Sequence, residues 1–535
     1  MKLALIGLAL LGLFPVGDRN HEPRRNHEGS GFRGRRLPSQ PTEFIGHEGA
    51  RRPLKPEPSF SGPNRYNVLF IAIDDLRPEL GCYGVKEAQS PNLDRLAKSG
   101  MVFSRQYAVV PTCGASRYAL LTGRAPAHSG VTASNEALYQ GKTALNPMLL
   151  PGAQTMPELF RRSGYQTVNI GKISHTADGR VYAYNGAGDG RPELPHAWDA
   201  LPTPFGDWKR GWGIFFAYEN GKSREDGQGH NALMEFTAKN DDDLPDGQLA
   251  REAISQIKGF KNSGKPFFLG LGFFKPHLPF VAPKQDWDAF EGKPIPLPHS
   301  PHKPAAPYWH PSAEFYKYSL PFAKKQPLDD DAARTARRAY LACVRYTDRQ
   351  VGKVLDALKA EGLDKNTIVV VWGDHGWHLG EQQIWGKHSP FERAVRSTLI
   401  VRAPGVGPTG KVSDALIEND DLYPTLVELC QPRFTKTHYP LDGKSFLPVL
   451  AGTQRTVRDS AVSYWQDAVT VRTATHRLIA RRNKDPKNPG FTDIALYDLS
   501  KDLDSTENLA DTTHTLRDTL LKTLQTALTN HGESL

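Results

Sequence analysis

Apolar positions along this chain gather into short runs over most of its length. The first is Asn67-Val68-Leu69-Phe70-Ile71-Ala72-Ile73, and similar stretches recur at 166–170, 266–274, 367–372 and 398–401. Runs of this length predict strands buried on both faces of a parallel sheet. Helical spacing lies between them. Residues 91–100 open on Pro91 and close on Gly100, residues 156–164 and 422–429 are short helices, and residues 330–360 carry Leu341, Val344, Val351, Val354, Leu355 and Leu358 on one face before Gly362. The alternation predicts an α/β fold over 65–450, a mostly parallel central sheet flanked by helices. After residue 450 the texture changes to short alternating segments at 461–465, 468–473, 476–482 and 494–499, then an amphipathic helix at 513–528. That pattern predicts a small antiparallel α+β subdomain over 451–535. The irregular stretches 178–245 and 292–327 read as long loops over the sheet edge, of the kind that carry specificity.

Composition narrows this picture. The 535 residues, 39% hydrophobic and 23% charged, describe a globular chain large enough for a main core and a smaller unit. Met1-Lys2 followed by an apolar run to Val16 reads as a secretory signal peptide over 1–17, which implies a periplasmic or secreted protein. No later stretch has the roughly 20 apolar residues of a membrane span. Residues 18–64 are rich in Arg, Pro, Gly and His and read as a disordered basic linker. The formal charge is +9, but the first 65 residues hold 11 Lys and Arg against 6 Asp and Glu, so the body is only mildly basic. A basic balance suits an acidic substrate. Four cysteines, Cys82, Cys113, Cys343 and Cys430, allow no disulfide scaffold, and their spacing fits no zinc site.

Polar clusters close four of the predicted strands: Asp74-Asp75, Lys172 with His175, Lys275-Pro276-His277, and Asp374-His375. Ligands bind at the carboxyl ends of strands in open α/β sheets. Charges there are costly unless they pair or bind metal. Three carboxylates and one imidazole point to a hard divalent cation, Ca²⁺ before Mg²⁺ and ahead of zinc. Cys113-Gly114-Ala115-Ser116-Arg117 precedes a helical pattern ending in Leu121-Thr122-Gly123-Arg124. A helix beginning near Ser116 would aim its free N–H groups at Cys113, an anion site within reach of the Arg117 fork.

Cys-x-x-x-Arg with Leu-Thr-Gly-Arg resembles the signature of the type I sulfatases of the alkaline-phosphatase superfamily, and further blocks resemble the iduronate-2-sulfatase branch. These are Asp74-Asp75-Leu76-Arg77-Pro78, Gly171-Lys172 with His175, Lys275-Pro276-His277-Leu278-Pro279-Phe280, residues 346–352, Gly373-Asp374-His375-Gly376-Trp377 and Trp385-Gly386-Lys387. The family pattern has proline two residues after the cysteine; here Ala115 stands. The resemblance implies that Cys113 becomes formylglycine, made by a formylglycine-generating enzyme or radical maturase. It implies that Asp74, Asp75, Asp374 and His375 bind Ca²⁺ together with residue 113. Arg117, Lys172, His277 and Lys387 would surround a sulfate, His277 or Lys387 would protonate the leaving oxygen, and His175 would act as base. The implied substrate is a sulfated saccharide, a 2-O-sulfated uronic acid by branch; nucleic acid is not an expected partner. A phosphodiester or phosphonate hydrolase, or a non-catalytic sugar-binding relative, are the alternatives.

Overall fold

Strand β1 (Asn67–Ile73) is buried along its whole length, as an unbroken apolar run requires at the centre of a parallel sheet. The computed structural model describes residues 66–533 except 185, 305, 484, 486, 488, 489 and 502. The predicted signal peptide 1–17 and linker 18–64 lie outside the described residues. The strands β2 (Met101–Tyr107), β3 (Gln166–Gly171), β4 (Phe267–Phe273), β5 (Thr367–Gly373), β6 (Arg396–Ser397), β7 (Leu399–Arg402) and β8 (Lys411–Glu418) join β1 in one eight-stranded sheet. Its order is β6-β2-β7-β5-β1-β4-β3, with β8 paired to β2. The central block β3-β4-β1-β5 is parallel, and Ile73 pairs with both Phe273 and Gly373. That register brings the carboxyl ends of four strands level. β7 runs antiparallel to β5 and β2. The fold is α/β with a mostly parallel central sheet, as expected.

Helices cover the sheet: α1 (Pro91–Lys98), α2 (Cys113–Thr122), α3 (Met156–Arg162), α4 (Pro245–Ser263), α5 (Asp330–Ala360) and α6 (Leu422–Cys430). The longest, α5, starts where the Asp329 side chain accepts the Ala332 N–H at 2.9 Å, with Asp330 and Asp331 in its first turn. Its buried stripe carries Tyr340, whose hydroxyl donates to the Asp75 carbonyl at 2.8 Å. Further along, Asp348 accepts the N–H groups of Asn92 and Leu93 and so caps α1. Residues 346–352 therefore act through packing and capping, away from the chemistry.

The C-terminal antiparallel sheet is β9 (Ala461–Trp465), β10 (Ala468–Arg472), β11 (His476–Arg482) and β12 (Phe491–Asp498), in sequence order, followed by α7 (His514–Asn530). The described residues cluster as one compact unit. Among the described residues no helix is long and apolar enough to cross a membrane. All four cysteines are free, three of them buried. Four elements depart from expectation. β2 and β8 carry polar residues within their pattern and leave no unbroken run, and α4 lies in a stretch for which no element was predicted. The helix after Cys113 begins at Cys113 itself, three residues earlier than expected, because Thr112 adopts the extended N-cap conformation.

Candidate active site

The strand ends meet at the amino end of α2. Cys113 is the first helical residue and is buried. Gly114 is required next to it, because a Cβ there would collide with the backbone of Asn135, whose Oδ1 accepts the Gly114 N–H at 2.8 Å. Asp75 sits in the left-handed region at φ +61°, a conformation a short acidic side chain tolerates better than most. The backbone there is held by Asp374 Oδ1, which accepts the Asp75 N–H at 3.0 Å, and by Tyr340.

Four of the five residues predicted for the metal fall in one cluster. Oxygens of Asp74 and Asp75, the Cys113 sulfur and a His375 nitrogen lie within 4.8 Å of one another. Asp374 is adjacent; its Oδ2 accepts from Arg117 Nε at 3.0 Å. The His375 tautomer is set by Nδ1, which donates to the Gly376 carbonyl at 2.9 Å. That leaves Nε2 with its lone pair 3.3 Å from Cys113 Sγ and 3.4 Å from Asp75 Oδ1. Asp75 Oδ2 is buried with no hydrogen-bond partner. An orphaned carboxylate oxygen among three acids and a ligand-ready imidazole fits a hard divalent cation.

Three cations interlock with the three acids. Lys172 Nζ donates to Asp74 Oδ2 at 2.6 Å, Arg117 spans Asp74 (3.2 Å) and Asp374 (3.0 Å), and Lys387 Nζ donates to Asp75 Oδ1 at 2.9 Å. Lys387 also reaches Cys113 Sγ at 3.4 Å. Arg117 had been expected to reach for an anion. Its fork is spent instead on the two carboxylates and on the carbonyls of Lys172 and Ile173, and it is fully buried. The cause is its place one turn inside α2, facing the sheet.

These contacts set the protonation pattern. Burial alone would push the Asp74 carboxyl up, but Lys172, His277 and Arg117 hold it well below the usual range. Burial pushes Asp75 well above that range, only partly offset by Lys387. Burial likewise raises the Cys113 thiol. His175 and His277 are both held well below an ordinary imidazole, by burial and then by Lys172 and Lys387 respectively. Lys387 moves the other way; burial opposes its charge, yet Asp75 and Cys113 raise it well above an ordinary lysine.

A cavity of about 670 Å³ opens over Cys113, with Lys172, His175, His277 and Lys387 in its lining. His175 Nδ1 is buried without a hydrogen-bond partner, and its ring packs 5.1 Å from Trp212. His277 Nδ1 donates to the Leu278 carbonyl at 2.6 Å, and Nε2 lies 3.8 Å from Asp75. Several lining residues carried no sequence signal. Glu314, from the 292–327 insertion, lies 3.4 Å from His277 Nε2 and 3.6 Å from Lys387 Nζ. Trp465 comes from β9 and stacks on His388 at 5.2 Å. Tyr184 stacks on Trp212 at 4.6 Å; the tryptophan-rich texture of 178–245 was the one available hint. Trp377 and Trp385 are buried core residues.

Acids at the ends of parallel strands thus gather around a helix-borne cysteine at the floor of the cavity. Residues 66–431 match the sulfatase family, and residues 380–533 match the C-terminal region of N-sulphoglucosamine sulphohydrolase. The chain belongs to the sulfatase family. It is 34% identical to iduronate 2-sulfatase of Mus musculus over 363 residues, 64% of this chain and 60% of that protein. It is 32% identical to a sulfatase of Formosa agariphila over 385 residues, 68% of this chain and 69% of that one. A phosphonate monoester hydrolase from Silicibacter pomeroyi shares the fold, with a TM-score of 0.68 at 22% identity, covering 87% of this chain and 95% of that one.

Proposed function

We propose that this protein hydrolyses a sulfate ester of a saccharide, a 2-O-sulfated uronic acid by its likeness to iduronate 2-sulfatase. In this reading Asp74, Asp75, Asp374, His375 and residue 113 hold Ca²⁺, and Cys113 is converted to formylglycine. When present, the cation supplies Lewis acidity and the hydrated aldehyde supplies the nucleophile.

The observation that carries the reading is the charge pattern around Cys113. Asp74, Asp75 and Asp374 are matched by Lys172, Arg117 and Lys387, and Glu314 adds one negative charge. A divalent cation leaves the site with one net positive charge. A sulfate monoester carries one negative charge and restores neutrality in a largely buried pocket.

The chain's own groups then divide the work. Arg117 holds the Asp74 and Asp374 carboxylates in place. Lys172 and Lys387 bring fixed positive charge to the sulfate oxygens. Lys387 carries its proton at Nζ in the resting site and donates it to the leaving oxygen; His277, neutral with Nδ1 tied to Leu278, offers Nε2 to a hydroxyl of the sugar and so orients the substrate. His175, neutral and with Nδ1 buried and unpartnered, would serve as the base that removes a proton at residue 113.

Mass spectrometry of the peptide spanning Cys113, from protein made in its native host or with a maturase, tests this. A loss of roughly 18 Da relative to cysteine is the expected result. An unmodified thiol from the native host would move the weight to a non-catalytic sugar binder, with Ala115 the first residue to blame. Modified protein that turned over phosphonates or phosphodiesters faster than sulfated uronic acids would overturn the substrate class.

A further inference from the structure

A second concentration of buried acid lies away from Cys113, at the end of β8. Glu418, Asp420 and Asp421 are fully buried, and each offers an oxygen within 4.8 Å of the others. Two of the three have partners on the protein. Glu418 Oε1 accepts the Val462 N–H at 2.6 Å, and its Oε2 pairs with Arg458 and lies 3.8 Å from His531 Nε2. Asp421 Oδ2 accepts the Glu418 N–H at 2.8 Å, while Oδ1 accepts the Lys444 N–H at 2.6 Å and pairs with Arg458. Asp420 differs: both of its oxygens are buried and neither has a hydrogen-bond partner.

A carboxylate held this way, beside two others, needs a counter-charge. Among the described residues Arg458 is the one guanidinium paired with the cluster, already shared between Glu418 and Asp421, and the Lys444 charge acts on Asp421. Nearby Asp442 adds no positive charge; it accepts the Ala125 N–H at 2.7 Å and contacts His128 at 2.7 Å. A cavity of about 810 Å³ lined by Asp442, Lys444, Arg458 and His531 gives solvent a route to this region. The donor set is all oxygen, which selects a hard cation and favours calcium over zinc.

We propose that Glu418, Asp420 and Asp421 bind a second divalent cation, calcium by donor chemistry, separate from the site at Asp75. Its position gives it a structural role. Glu418 holds β9 through Val462. Asn419, between the proposed ligands, accepts the Val109 N–H at 2.8 Å and donates to the Ser116 carbonyl at 2.8 Å. The bound ion therefore ties the C-terminal sheet to the first turn of α2, which carries Cys113.

Crystals of the full chain soaked in terbium, a calcium substitute, locate the ion by anomalous scattering. The expected result is a peak about 2.4 Å from an Asp420 oxygen, present whether or not a second peak appears at Asp75. No peak at Asp420 overturns the proposal. Equilibrium dialysis with Ca²⁺ alone gives the second arm. Asp374→Asn, weakened at the first site, should still bind about one ion per chain, and Asp374→Asn with Asp420→Asn about none. Equal binding by the two variants overturns it as well. If the double variant fails to fold, the crystallographic arm decides alone.

Discussion

Lys387 donates to Asp75 Oδ1 across 2.9 Å, joining residues 312 positions apart. The same ammonium lies 3.4 Å from Cys113 Sγ. One flexible side chain thus touches a proposed metal ligand and the proposed nucleophile position, with Glu314 3.6 Å away on its other side. Replacing it with alanine should lower kcat/KM for a sulfate ester by roughly 100-fold or more, the scale of a lost charge-stabilising donor. Calcium content should hold, because Asp74, Asp75, Asp374 and His375 remain. Steady-state kinetics alongside metal analysis checks both; a variant within about twofold of the parent would remove Lys387 from the chemistry.

Chelation offers a broader check. The orphaned Asp75 Oδ2 and the His375 Nε2 lone pair, 3.3 Å from Cys113 Sγ, are the groups a cation would take. Dialysis against a strong chelator should abolish turnover, and added Ca²⁺ should restore it better than Zn²⁺. Asp75→Asn should abolish turnover without rescue by Ca²⁺ at ordinary concentrations.

The pH profile depends on His175. Burial first and then Lys172 lower its affinity for a proton, so the ring is neutral in the resting site. A base works only when unprotonated, and a lowered pKa moves loss of the unprotonated form to lower pH. The acid limb of kcat/KM should therefore lie below the ordinary imidazole value of about 6.5. An acid limb centred above that value would count against His175 as the base. His175→Gln should remove the limb along with most of kcat.

Stability tests the support beneath the site. Tyr340 accepts the Arg77 N–H at 3.1 Å and donates to the Asp75 carbonyl at 2.8 Å, both buried. Tyr340→Phe keeps the ring and strands both backbone groups, which should cost about 1–3 kcal/mol in urea unfolding. The Asp75 backbone would also lose a restraint on its left-handed conformation, so calcium affinity should fall in the same variant. A stability loss with unchanged calcium affinity would separate the two effects.

Much of this protein is legible one segment at a time. Apolar runs of strand length placed β1, β3, β4, β5 and β7, because a strand buried on both faces must be apolar throughout. The polar pairs that end those runs named Asp74, Asp75, Asp374 and His375, since carboxylates have few reasons to stand there. The helical stripe of α5 was local as well. Strands with mixed patterns, β2 and β8, escaped because their faces differ in burial along their length.

The tertiary structure decided what no local pattern holds. Parallel register between β3, β4, β1 and β5 makes four strand ends neighbours. The packing of α2 on the sheet commits Arg117 to two carboxylates. Glu314 and Trp465 reach the cavity from an irregular insertion and from the C-terminal sheet. Asp420 looks like one more acid in a turn until folding buries both its oxygens without a hydrogen-bond partner. Composition and periodicity report what a residue prefers. Which charges face one another depends on strand order and register, and these are set by long-range packing.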